Sequence, residues 1–271
     1  MGRRISEWVS GLVRRTIRFV LPMHCSICDS SLTDDPTPHF CTDCWRTIGL
    51  MPSSRCSRCD RPFPSAIATA YSPGHMCQSC LMHPPSYTRA WTLYPYTSPL
   101  RDAIRLFKYR GNVSLASALG ALMIKQLPLL GRVDVIIPVP LHAERLRQRE
   151  FNQSLLLADQ IGRALGIAVS YTNLLRTTPS PPQTSLTKQR RLRNLRGAFA
   201  LQCPEEIRNK RVLLIDDVFT TGTTVNECAK SLRRAGSSDV LVLTLGRTLD
   251  HDLIPDHVRV PHRHPFEPFG V

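Results

Sequence analysis

The stretch Arg211-Val-Leu-Leu-Ile-Asp-Asp-Val-Phe-Thr-Thr-Gly-Thr-Thr224 sets the architecture of the chain. Val212 to Ile215 is an apolar run with the length and branching of a buried parallel strand. It is expected to stop at the adjacent carboxylates Asp216 and Asp217, ahead of a threonine-rich turn around Gly222. Val225, Cys228, Ala229 and Leu232 then recur at the spacing of one helical face. A strand, an acidic pair, a hydroxyl-and-glycine turn and a helix start make an anion site. Backbone N–H groups at the helix N-terminus point outward, the helix dipole favours negative charge, and glycine permits close approach. The threonine hydroxyls add donors, while ionised aspartates accept only and so suit a sugar diol.

Phosphate donors beside diol acceptors describe a ribose 5-phosphate cradle. The competing reading of the same residues is a plain strand-to-helix turn with Asp or Thr as N-cap. The string resembles the phosphoribosyl pyrophosphate (PRPP) motif of type I phosphoribosyltransferases, an apolar strand, Asp-Asp, two residues, then Thr-x-Gly-x-Thr. That resemblance implies that Asp216 and Asp217 are catalytic and hold the ribose hydroxyls. It assigns the 5-phosphate to Thr220, Thr221, Gly222, Thr223 and Thr224.

The chain has 271 residues, enough for one sizeable domain and a small second one. Its 35 Lys and Arg against 21 Asp and Glu give a net charge of +14, which suits phosphorylated ligands or nucleic acid. No apolar run reaches the roughly 18 residues of a membrane span, and no secretory segment is evident. Eight of the ten cysteines fall in four Cys-x-x-Cys pairs, which points to metal in a reducing, cytoplasmic setting rather than to disulfides.

Residues 1–22 have the 3.6-residue period of a basic amphipathic helix, either a membrane-surface or partner-docking element or one packed on its neighbour. Residues 23–86 hold the cysteines. Two knuckles of this kind enclose one tetrahedral ion with every position filled, so the expected metal is structural Zn2+. Sequential pairing gives one site from Cys25, Cys28, Cys41 and Cys44 and a second from Cys56, Cys59, Cys77 and Cys80; spacing leaves interleaved pairing open.

From residue 87 to 248 strands alternate with helices, predicting a parallel sheet with helices on both faces and ligands beyond the strand ends. Strands are expected at Ala90–Tyr96, Val133–Val139, Val169–Leu175 and Asp239–Leu245 besides the central one. A strand exit at Pro138-Val-Pro140 leads into Arg145-Leu-Arg-Gln-Arg149-Glu-Phe151-Asn-Gln153. Arginines in such a loop can clamp a diphosphate; equally, this is a solvated basic turn with Asn152 capping the next helix. Residues 161–203 contain no acidic side chain, and Thr177–Thr187 reads as a mobile loop, a lid or a basic arm along a nucleic-acid backbone. The tail, 249–271, has no helical or strand period and is expected to be disordered.

Taken in order, the four cysteine pairs, Leu106-Phe-Lys-Tyr109, Pro-Val-Pro, Arg-x-x-x-Arg-x-Phe-Asn-Gln, Gln183-x-x-Leu186, Arg191-x-x-Asn194, Gly197-Ala-Phe199 and the Asp-Asp turn resemble the ComF family. These are amidophosphoribosyltransferase-like proteins associated with DNA uptake. The resemblance implies an α/β type I phosphoribosyltransferase-like parallel sheet flanked by helices, preceded by a small Cys-rich zinc-ribbon module. It also implies a PRPP-like ligand with Mg2+, and ligand contacts from Lys108, Arg145, Arg149, Asn152, Gln183, Arg191 and Asn194. Single-stranded DNA and a helicase are the implied partners. The chain departs from the family at Glu150, where glycine is usual; glutamate tolerates a left-handed backbone poorly and adds negative charge beside the proposed diphosphate.

Overall fold

The computed structural model describes residues 23–32, 35–109, 112–178 and 197–249. The amphipathic N-terminal segment, the residues Gln183, Arg191 and Asn194, and the tail from 250 onward lie outside the described residues. Two compact units are present, Met1–Ile48 and Gly49–Val271. The division falls between the two cysteine groups, so the second group belongs to the unit that carries the sheet, whereas the sequence reading sets the boundary near residue 86.

The strands are β1 (Arg89–Pro95), β2 (Val135–Pro138), β3 (Leu174–Arg176), β4 (Phe199–Leu201), β5 (Arg211–Phe219) and β6 (Asp239–Arg247). The helices are α1 (Thr42–Arg46), α2 (Ile67–Ala70), α3 (Gln78–Met82), α4 (Leu100–Tyr109), α5 (Leu115–Lys125), α6 (Ala143–Arg149), α7 (Gln153–Leu165) and α8 (Thr223–Arg234). β1, β6, β5 and β2 form one parallel sheet in that order. Val212, Leu213, Leu214 and Ile215 are inaccessible to solvent, as an apolar central strand covered on both faces requires. One face packs Val212, Leu214, Val240 and Val242 into a cluster with Val225, Cys228, Ala229 and Leu232 of α8. α7 lies against β5 and β2, and α5 against α7 and β6.

Two expectations change. β5 does not stop at Ile215: pairing continues through Asp216↔Thr244, Val218↔Gly246 and Phe219↔Arg247, so the acidic pair is held within the sheet ladder. The segment Val169–Leu175 does not supply a full strand to that sheet either. Val169 makes an isolated parallel bridge to Ile136, and β3 pairs antiparallel with β4 in a separate ribbon. The cause is Asn173, whose buried amide donates to the Cys203 carbonyl at 2.9 Å and accepts from the Cys203 N–H at 3.0 Å. This clamp directs the chain toward β4.

Candidate functional site

Beyond Phe219 the chain turns through Thr220 and Thr221, both exposed, to Gly222. Gly222 sits at φ +76° as the N-cap of α8 and makes no side-chain cap bond. A Cβ there would lie 2.5 Å from Cζ of the buried Phe219 ring, so the turn needs glycine for both conformation and space. The hydroxyls of Thr221 and Thr223 are 2.8 Å apart, and the Thr223 N–H reaches Thr221 Oγ1 at 3.4 Å. The first amides of an α-helix have no partner within it. Together these gather donors on one small turn.

Asp216 and Asp217 follow the apolar run of β5 and have different partners. Lys108 Nζ, from the last turn of α4, binds Asp217 Oδ1 at 2.8 Å. Burial alone would lower the Lys108 pKa, but the charges of Asp217 and Asp216 outweigh it and raise the value. Asp216 Oδ1 accepts from Ser154 Oγ and from the Asp217 N–H, each at 2.9 Å. Desolvation first, then the Asp217 charge, push the Asp216 carboxyl up to about 7 against the pull of Lys108 and these hydrogen bonds. A carboxylate poised near neutrality accepts a cation or hydroxyl donors readily, because they relieve the penalty of ionising it.

The arginine loop is built around Glu150, which closes α6 in the left-handed conformation at φ +66° and donates its N–H to the Leu146 carbonyl. The backbone shape expected of glycine is thus adopted by glutamate, with the strain that a Cβ brings. Arg149 donates to Gln153 Oε1 at 3.1 Å and stacks 5.0 Å above the Tyr109 ring. Asn152 serves as the N-cap of α7: its Oδ1 accepts from the Ser154 N–H, and its amide donates to the Val139 carbonyl. It positions the loop and Ser154. Arg145 is half-buried near Arg176, whose pKa is lowered by burial and by the Arg145 charge. The fold therefore brings Lys108, Ser154 and the acidic pair into direct contact, while Arg145 and Arg149 bond to none of these four.

Both cysteine groups pair sequentially. In each, four sulfurs lie within 4.8 Å of one another: Cys25, Cys28, Cys41 and Cys44, then Cys56, Cys59, Cys77 and Cys80. Hydrogen bonds among the thiols drive Cys56 far down and push Cys59 up to about 12, a conflict that a central dication removes. The donor set and its tetrad geometry fit zinc. Among described residues the two knuckles repeat one design, Cys25-Ser-Ile-Cys28-Asp29 and Cys56-Ser-Arg-Cys59-Asp60, with Asp29 and Asp60 at φ 62° and 63°. Their environments differ. Asp60 is buried, accepts from Thr92 N–H and Oγ1 at 2.6 and 2.9 Å, and pairs with Arg55. Arg247 donates to the Cys59 carbonyl at 2.8 Å, and Ala90 N–H to the Arg58 carbonyl at 2.9 Å. The second knuckle is stitched to the sheet.

Ser154 was not singled out by sequence reasoning; its only local signal is its place two residues after the capping Asn152. No helix among the described residues is long and apolar enough to cross a membrane.

Comparison with known proteins matches residues 16–81 to the double zinc ribbon domain and residues 152–251 to the phosphoribosyl transferase domain. DNA utilization protein YhgH of Salmonella typhimurium is 32% identical over 225 residues, covering 78% of this chain and 98% of that protein. Competence protein F of Haemophilus influenzae is 30% identical over 220 residues, covering 76% and 96%. The solved adenine phosphoribosyl transferase of Trypanosoma brucei aligns over 69% of this chain and 92% of its own at 13% identity and a TM-score of 0.37.

Proposed function

We propose that this chain, which belongs to the ComF family of competence and DNA-utilization proteins, binds PRPP or a related ribose 5-phosphate ligand with Mg2+ and serves DNA uptake in the cytoplasm. The observation that carries the reading is the acidic pair, held by Ser154 and Lys108 immediately before the Gly222 turn. In this reading Asp216 and Asp217 accept from the ribose hydroxyls. The turn from Thr220 to Thr224 receives the 5-phosphate on backbone N–H groups and hydroxyls. Lys108 gives up Asp217 as ligand enters and stays beside it, offsetting charge. Asp216 and Asp217 would hold Mg2+ bound with the ligand, and the ion would supply charge neutralisation at the diphosphate. If the ribosyl C1–O bond breaks, its electrons leave with diphosphate, whose charge Arg145 and Arg149 would neutralise, and a lone pair of the acceptor forms the new bond to C1 as the acceptor loses a proton. Catalysis of this kind is positioning plus charge stabilisation and needs no protein nucleophile.

A second reading is a non-catalytic platform for single-stranded DNA working with a helicase. It is favoured by the state of the arginine loop: Arg149 is engaged by Gln153 and Tyr109, and Asn152 is used up as a cap. Calorimetric titration of PRPP with Mg2+ separates the two. Binding by wild type that is lost in Asp216→Asn/Asp217→Asn supports the first. A folded wild type that ignores PRPP, yet binds single-stranded DNA with a salt slope of about −0.7 per phosphate contact, supports the second.

A further inference from the structure

Arg149 is occupied without being ion-paired. Its guanidinium donates to Gln153 Oε1 at 3.1 Å and lies 5.0 Å over the Tyr109 ring, and among the described residues no carboxylate meets it. The contact is braced on both sides. Tyr109 ends α4, two residues after the fully buried Phe107, whose ring packs 5.6 Å from that of Phe151 on the arginine loop. Glu150 sets the backbone after Arg149 in the left-handed conformation. Gln153 is 1% exposed, and accepting from Arg149 commits its oxygen, so its Nε2 is left buried with no acceptor. An unpartnered buried amide donor is disfavoured, so Arg149 is held in this place at a cost. The stacking partner is a 60% exposed ring, where a cation–π contact is worth only about two- to fivefold in an equilibrium. The hold is weak enough to open.

We infer that Tyr109 and Gln153 are specificity-determining residues: they hold Arg149 off the ligand and so reduce the preference of the site for a diphosphate-bearing ribose phosphate over plain ribose 5-phosphate. The inference rests on the ribose-phosphate reading of the acidic pair and the Gly222 turn, and it concerns the regulation of that site. A guanidinium serves a diphosphate through paired N–H bonds, which requires those groups to be free. In the held state the ligand meets the acidic pair and the turn, contacts that both compounds share. A diphosphate must first draw Arg149 away from Gln153 and Tyr109, so its affinity is scaled down by the fraction of molecules in which Arg149 is free. The contrary role for the same contacts is support, with Tyr109 and Gln153 keeping Arg149 ready for the diphosphate. The two roles predict opposite effects when the contacts are removed.

Full-length protein with Mg2+ is titrated calorimetrically with PRPP and with ribose 5-phosphate, as wild type, Tyr109→Leu, Gln153→Met and Tyr109→Leu/Arg149→Ala. Both single substitutions keep the net charge, so a gain in affinity cannot come from bulk electrostatics. Each is expected to bind PRPP at least about threefold tighter than wild type, the scale of one weak contact released, with ribose 5-phosphate affinity unchanged. The gain disappears in the double variant, because it is exerted through Arg149. Three results overturn the inference while ribose 5-phosphate binding keeps the ribose-phosphate reading standing. They are PRPP affinity unchanged or weakened in either folded single variant, a gain shared equally by both compounds, and a gain that survives Arg149→Ala. If neither compound binds any of the four proteins, that reading falls and the inference with it.

Discussion

Asp216→Asn should make the folded protein more stable at pH 8 while removing binding of the proposed ligand. The Asp216 carboxyl stands at about 7 in the folded chain because desolvation and Asp217 oppose its charge. In the unfolded chain an aspartate titrates near 3.9. Between these values the folded state holds a proton that the unfolded state has released, so stability is greatest below about pH 4 and falls as pH rises to 7. Three units correspond to at most about 4 kcal/mol; with Asp216 only half-buried and its charge screened by solvent, about 1–2 kcal/mol is expected. Asparagine keeps an oxygen for Ser154 and the Asp217 N–H but has no charge to desolvate. Urea unfolding of wild type and Asp216→Asn at pH 5 and pH 8 reads the effect, with the denaturant slope unchanged. The variant should be about 1–2 kcal/mol more stable at pH 8, with a gap that narrows at pH 5. A variant less stable at pH 8, or a gap equal at both pH values, would refute the claim that this carboxylate is held ionised at a cost.

The same carboxyl should make the proposed Mg2+–PRPP binding pH-dependent. Affinity should rise between pH 6 and pH 8 with proton release near pH 7, seen by calorimetry in two buffers of different ionisation enthalpy, and a flat profile would count against Asp216 at the site. Gly222→Ala should cost about 2–5 kcal/mol, roughly 1–2 for the left-handed backbone and about 1–3 for driving Phe219 from beneath Arg247. A loss under about 1 kcal/mol in urea unfolding would mean that the turn relaxes freely. Purified protein should carry two equivalents of zinc. Cys56→Ala should lower the unfolding transition of the sheet far more than Cys28→Ala, because only the second group lies in the sheet's buried cluster; equal effects by calorimetry would contradict this. Glu150→Gly should stabilise by about 1 kcal/mol through relief of its positive φ, and should tighten diphosphate binding if the arginine loop serves it.

The sheet was legible because its strands are apolar runs that need no partner to be recognised, and α8 because Val225, Cys228, Ala229 and Leu232 repeat with its period. The turn was legible because Gly222 is required by a backbone angle that local sequence dictates. What escaped were contacts made across the fold. Lys108 and Asp217 are 109 residues apart, and Ser154 and Asp216 are 62 apart, so no spacing rule joins them. Val169–Leu175 has strand composition, but Asn173 and Cys203 decide where it pairs. Asn152 could be read as ligand contact or helix cap, and only Val139 and Ser154 in place show the cap.

The two knuckles show the limit most directly. Their sequences, Cys-Ser-x-Cys-Asp in each, give the same local turn, with the aspartate left-handed in both. Yet the side chain of Asp29 is 92% exposed, while that of Asp60 is buried against Thr92 of the edge strand and paired with Arg55. Burial raises the Asp60 pKa against the pull of Arg55 and the Thr92 bonds, a cost that the lost water imposes and the sheet contact must offset. An aspartate kept at that cost locks knuckle to sheet, and Arg247 continues the lock from Cys59 to the Phe219 ring beneath the turn. The second cysteine group is thereby linked to the Gly222 turn through two packed side chains, Arg247 and Phe219. A zinc ribbon read as a module of its own in sequence is, in this half, part of the wall of a cavity onto which the Gly222 turn opens.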